Sequence, residues 1–400
     1  MKKIIWGIYG SISRQFSGIS NFGMRKLLSI VFFLCSSICY AEETIVYRPI
    51  VKILPPLTAH ILTIPLPLVN MRFTVSVGQY LKGKNTVPEM VEKFAGGDWF
   101  PLAAINGDYF EYKTEPLFWG TLQGLCIIER ELVSGPAGEA SFCVNKEGRP
   151  FIRDFHAKFE IVWPDGSVSP FGLNCSTTDY KSEVRTAEIV LFTPLFENRT
   201  GTRDVVEITL KKPVGSQKWL PLVANETYEA ETAVISKDGN SPIPSDGMVI
   251  SISQNAKLKI PEVKNGDIIR IKTTFLESDI TNITTAVSGG PLLLKNGELK
   301  IHKPLDVSTA LKERAPRTVI GINSTNVFMV VVDGRQVTSV GMNHYELATF
   351  MKELGCVDAL NFDGGGSSIL WYNGKIVNSP SEYPLRAVGN TLILLHNASN

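Results

Sequence analysis

Residues 327–368 read VFMVVVDGRQVTSVGMNHYELATFMKELGCVDALNFDGGGSS. The run 327–332 is apolar and rich in β-branched residues, without alternation. That is the pattern of a strand buried on both faces. Within 344–354, Leu347, Phe350, Met351 and Leu354 fall at helical spacing, and Gly355 suits a C-terminal cap. Residues 357–362 form a second apolar strand. Strand, helix and strand in so short a span predict a βαβ unit with parallel strands.

Working outward, 317–322 reads as another strand, and 323–326 as the turn that folds it back on 327–332 in an antiparallel hairpin. Parallel strands end on one edge of a sheet, so Asp333 and Asp363 are expected there together. The connecting helix starts near that edge, which brings Glu346 in its first turn close by. Arg317 opens the hairpin and should sit beside Asp333. Ligands bind at such carboxyl ends in open α/β sheets. Gly364, Gly365, Gly366 and Ser367 follow Asp363 directly. Successive glycines permit positive φ and close approach, and their amides can form a concavity for an anion. Taken singly, these residues have structural readings as turn, helix-dipole or surface ion-pair positions. Their joint placement on one edge favours a site. Ser288-Gly289-Gly290-Pro291 is a weaker signal of the same kind.

The rest of the chain is β-rich. Residues 45–80 read as strands, with alternation at 71–77, and 87–94 as a helix with Pro88 near its start. A short strand at 101–106 runs into Asn106-Gly-Asp-Tyr-Phe110. From 116 to 275, short strands are separated by turns such as Pro164-Asp-Gly166 and Lys264-Asn-Gly-Asp267. The expected fold class is α+β: a mixed, β-rich sheet core with a C-terminal βαβ unit and few helices. No linker divides 42–400, so it is expected to be a single domain.

Residues 1–41 read as an export segment. Met24 suits the start of a signal peptide at 24–41, where a basic opening precedes a short apolar stretch and small residues ending at Ala41. Export to the periplasm or outside the cell is expected, with no stable membrane span afterwards. The 400-residue chain carries 40 Lys and Arg against 39 Asp and Glu. Without residues 1–41 the balance is 35 to 39, or −4. Neither value implies a nucleic-acid partner. Cys126, Cys143, Cys175 and Cys356 then remain, an even number that allows disulfides in an exported protein. Cys126–Cys143 is the most local pairing, and Cys356 could equally be a free core thiol.

Other chemistries find no support. The five histidines include no HExxH and no close pair, there is no GxSxG elbow, and no Walker or GxGxxG motif occurs.

Asn106-Gly-Asp-Tyr-Phe110, Ser288-Gly-Gly-Pro291, Arg317-Thr-Val-Ile-Gly321, Asp333-Gly-Arg335, Glu346-Leu-Ala348, Asn361-Phe-Asp-Gly-Gly-Gly-Ser-Ser368 and Arg386-Ala-Val-Gly-Asn390 occur in this order. The set resembles the phosphodiester glycosidase family, over roughly 45–397 but weakly at 145–245. Asp108 departs from the family pattern, which usually has a second Gly there. The resemblance implies hydrolysis of a sugar-1-phosphate diester at its glycosidic bond, without a cofactor, on a phosphorylated glycan or polysaccharide. Asp363 and Glu346 are then expected as working carboxylates. Arg317, Arg386, the 364–366 amides and Ser367 would hold phosphate. Asn106, Asp333 and Asn390 would bind sugar hydroxyls or orient the others, with Ser288 and Gly289 also at the site. Two alternatives remain: a glycan-binding protein without turnover, and a phosphodiesterase using Asp333, Glu346 and Asp363 as ligands for a divalent cation.

Overall fold

The computed structural model describes residues 44–397, save 84, 95–96, 113–115 and 183. The signal-peptide expectation at 24–41 lies outside the described residues. Ile45–Asn400 makes one compact unit.

The strand Asn326–Val332 lies inside a seven-stranded sheet. Its apolar run serves two cores at once. Phe328, Val330 and Val332 pack with Leu347, Phe350 and Met351 of the helix His344–Glu353. Val327, Met329 and Val331 face the opposite way, into the main core with Phe73, Ile105 and Leu392. A strand covered on both sides has no polar face to show, hence the absence of alternation.

Arg317–Ile322 pairs antiparallel with Asn326–Val332, as the hairpin reading requires. It also pairs antiparallel with Asp358–Asn361. The two strands of the βαβ unit are therefore parallel but not adjacent, with Arg317–Ile322 between them. The helix is closed by a capping box between Asn343 and Glu346, and Gly355 follows its C-cap at φ +85°, a conformation that suits glycine.

Two five-stranded sheets flank this one. In the first, Trp99–Asn106 pairs with Leu370–Tyr372 and Thr391–Asn397. In the second, Ile283–Ser288 lies between Cys126–Ile128 and Ala140–Asn145. Residues 157–275 supply an eight-stranded sheet over its own core, which includes Trp163, Phe159, Tyr228 and Phe275. The fold is strand-rich α+β with few helices. Among the described residues, no helix is long and apolar enough to cross a membrane, which says nothing of strands.

The disulfide expectation is corrected. Cys126, Cys143, Cys175 and Cys356 are all free, buried thiols. Cys126 and Cys143 sit on either side of Ile283–Ser288, yet Cys126 packs into the main core and Cys143 into the core of the eight-stranded sheet. Side chains on opposite faces of a sheet cannot be bridged.

Candidate active site

Three strand ends meet at one edge. Asn106 ends its strand, Asp363 follows Asp358–Asn361, and Ser288 ends Ile283–Ser288. The Asn106 side chain donates to the Asp363 carbonyl at 2.7 Å and accepts from Thr318 Oγ1 at 2.7 Å and from the Ile369 amide. The Asp363 amide donates to the Gly107 carbonyl. Asn106 is buried and fully engaged, so it pins two sheets together. Asn390 is similar. Its Oδ1 accepts from the Asp108 amide, and its Nδ2 points at Cys126 Sγ. Ser288 Oγ bridges the Leu125 amide and Ser141 Oγ, while the Gly289 amide donates to the Ala140 carbonyl. The expected substrate binders Asn106, Asn390, Ser288 and Gly289 therefore form the frame of the site.

The glycine block lies on top of this frame, and two of its three glycines make room for charged side chains, Gly365 for Arg335 and Gly366 for Glu382 and Arg386. A Cβ on Gly364 would lie 2.8 Å from the Pro316 carbonyl oxygen, with Arg317 Cδ beyond it at 3.8 Å. One on Gly365 would lie 3.2 Å from both terminal nitrogens of Arg335, and one on Gly366 would lie 2.6 Å from Arg386 Nη2. Gly365 also has φ +62°, which L side chains rarely adopt. The amides serve differently from expectation. That of Gly364 donates to the Asp363 carboxylate at 2.9 Å, and that of Gly365 to the Pro316 carbonyl. The hydroxyl of Ser367 is buried with no hydrogen-bond partner, as are Ser368 Oγ and Asn361 Oδ1.

Arg317 is held firmly. Nε donates to the Met342 carbonyl, Nη2 to the Glu313 carbonyl, and Nη1 lies 2.9 Å from His344 Nε2. Burial, and then the Arg317 charge, push the His344 ring down to about 4, so it is neutral and accepts. Arg386 is ion-paired to Glu382 at 2.5 Å and lies over the Tyr112 ring. Arg335 is exposed, and its φ of +58° is unusual for a non-glycine residue.

The carboxylates separate. Asp363 is half-buried at the head of the block. Asp333 is buried and accepts from His60 Nε2 at 3.0 Å, Asn378 Nδ2 and the Ser379 amide. Asn378 in turn binds the Ser368 carbonyl. Asp333 thus braces the segment behind the glycine block. Its carboxylate does not meet Arg317 as expected, because the two side chains turn to different partners. Glu346 caps its helix and pairs with Arg314. It lines a cavity of about 300 Å³ with Lys52, Leu57, Tyr345 and Phe350. Among the described residues, no three His, Cys, Asp or Glu side chains are grouped to hold a metal ion, so Asp333, Glu346 and Asp363 do not form one donor set.

Sequence reasoning missed the parts played by Asp108, Tyr109, Arg335 and Glu382. Asp108 is buried, accepts from the Gly124 and Tyr109 amides, and is pushed up to about 7 by burial, with Asp363 and Glu139 adding repulsion. The Tyr109 hydroxyl donates to the Gly290 carbonyl and accepts from Asn361, within electrostatic reach of Asp363 and Arg317. Burial first, then Asp363, push this phenol up to about 12. Tyr109 and Arg335 stand within motifs already quoted. Glu382 had no sequence signal.

Known proteins match this chain in parts. A family model for phosphodiester glycosidases matches residues 223–395. The SPbeta prophage-derived protein YomE of Bacillus subtilis is 36% identical over 85 residues, 21% of this chain and 13% of that protein. Mouse N-acetylglucosamine-1-phosphodiester alpha-N-acetylglucosaminidase is 26% identical over 160 residues, 35% of this chain and 30% of the enzyme. The matches thus span less than a third of either relative. A hypothetical protein from Synechocystis shares the fold, with a TM-score of 0.67 at 18% identity over 88% of this chain and 62% of that one. The family match covers the segment that carries the glycine block, and over residues 223–395 the chain is similar to phosphodiester glycosidases.

Proposed function

We propose that this protein is an exported hydrolase that cleaves the glycosidic bond of a sugar-1-phosphate diester, releasing a sugar and a phosphomonoester. The observation that carries this reading is the row of three glycines behind Asp363, with the side chains of Arg317, Arg335 and Arg386 gathered within 4 Å of where their Cβ atoms would be. Guanidinium groups recognise phosphate oxygens through paired N–H donors. Arg317 has N–H groups beyond those bound to carbonyls and His344, and exposed Arg335 can reach an anion over the glycine block. Export rests on the sequence of residues 24–41.

Departure of a phosphomonoester from an anomeric carbon leaves an oxocarbenium-like transition state. Phosphate is a good leaving group, so proton donation contributes less than for an ordinary glycoside. In this reading Asp363, half-buried at the head of the glycine block, stabilises the cation and assists water or forms the covalent intermediate. The arginines stabilise the negative charge that develops on the departing oxygen. Tyr109 orients groups beside Asp363, and Asp333 braces the glycine block. Glu346 is tied into its helix cap and Arg314, so no chemical step is assigned to it. No cofactor is required by this route. The separation of the three carboxylates favours it over a divalent-cation phosphodiesterase.

The test is to incubate the purified protein with sugar-1-phosphate diesters of several hexoses and N-acetylhexosamines. Free sugar and phosphomonoester should appear together. Asp363→Asn should lower turnover at least about 10²-fold, the scale of a lost acid–base group. Glycan binding without release of sugar would make it a binding protein, and undiminished rates in Asp363→Asn would remove that residue from the chemistry.

A further inference from the structure

Glu382 occupies a position that the family reading leaves unexplained. Its Oε2 sits, with Arg386 Nη2, in the space where a side chain on Gly366 would begin. It pairs with Arg386 at 2.5 Å, and its side chain is 45% exposed. It comes from the loop after Ser379, which Gln336 and Asp333 hold through the Ser379 carbonyl and amide. A carboxylate therefore faces the glycine block against which we place the phosphate. The side chains meeting the glycine block carry three positive charges, on Arg317, Arg335 and Arg386. With Asp363 at its head, they carry two negative ones.

We propose that Glu382 is a specificity-determining residue that matches the anion pocket to a phosphodiester monoanion and disfavours a phosphomonoester dianion. This rests on the reading of the pocket as a phosphate site. The substrate diester carries one negative charge. The product monoester carries about −1.5 to −2 near neutral pH. A residual charge near +1 attracts the first and is overmatched by the second. Glu382 repels the extra charge of the product at short range, in a partly desolvated setting where Coulomb terms are larger than in water. Substrate is then favoured over product, and the phosphomonoester leaves more readily once the glycosidic bond is broken. Without Glu382 the residual charge would rise from about +1 to about +2, and the dianion would gain about twice what the monoanion gains.

The experiment compares dimethyl phosphate with methyl phosphate as probes, titrated into the full protein at pH 7.5. Wild type should prefer the diester or bind the two equally. Glu382→Gln should tighten methyl phosphate at least about tenfold and dimethyl phosphate no more than about threefold, which shifts the ratio toward the monoester. Glu382→Asp should restore much of the wild-type ratio. Because 382 is exposed on a loop, both variants should keep the wild-type melting temperature. Equal changes for the two probes, or no change for either, would overturn the proposal. Failure of every variant and the wild type to bind either probe would instead overturn the phosphate pocket itself.

Discussion

At the scale of single residues, Asp108 is the informative departure from the family pattern. A glycine there would leave the Gly124 amide without its acceptor. The aspartate supplies that acceptor, at the cost of burying a carboxyl beside Asp363. Its pKa in the folded protein, about 7, lies well above the ordinary value of 3.8. Between these values the folded state holds a proton that the unfolded chain has released. Stability therefore declines as pH rises from about 4 to about 7, by up to about 4 kcal/mol if the full shift is realised. Asp108→Asn should remove that slope, whatever offset the amide adds. Glu131 is also pushed up to about 7 by burial and contributes a decline of the same sign, so the readout is the difference between variant and wild type. Denaturant unfolding at pH 5 and pH 8 measures it. Identical pH slopes would mean that Asp108 ionises normally.

At the scale of elements, the helix His344–Glu353 separates two readings of Glu346. The first turn places it near the sheet edge, as its sequence position suggests. Its carboxylate, however, accepts from the Asn343 amide within the capping box and pairs with Arg314. Glu346→Gln keeps the cap, since glutamine also serves at that position. Turnover should then stay within a few-fold of wild type. A loss near that expected for Asp363→Asn would restore Glu346 as a working carboxylate. The βαβ unit itself was legible in the sequence, because unbroken β-branched runs and helical spacing report burial directly. The interposition of Arg317–Ile322 between the two parallel strands was not, because strand order depends on pairing across the sheet. The convergence of Arg317, Asp363 and the glycines was legible for the same reason as the unit. The framing roles of Asn106 and Asn390 were not, since an amide in a motif looks the same whether it meets a sugar or a neighbouring backbone.

At the scale of the whole molecule, the four thiols are buried across three cores, Cys126 and Cys175 in the main one and Cys143 and Cys356 in one each. Burial pushes all four of them up, so they stay protonated and unreactive. The folded protein should resist thiol-specific reagents at these positions, and reducing agent should leave its melting temperature unchanged. A drop of several degrees on reduction would reveal a bridge. An even cysteine count in a chain expected to be exported suggested disulfides, and only the facing of the strands decides against the most local pair. Residues 42–400 carry a formal charge of −4, so the proposed attraction of an anionic diester must be local, and Arg317, Arg335 and Arg386 beside the glycines are the groups proposed to supply it. The most direct test of the account is hydrolysis of a sugar-1-phosphate diester in water enriched in ¹⁸O. Cleavage at the glycosidic carbon places the label in the released sugar, as this account predicts. Label in the phosphomonoester would mean attack at phosphorus and would contradict it.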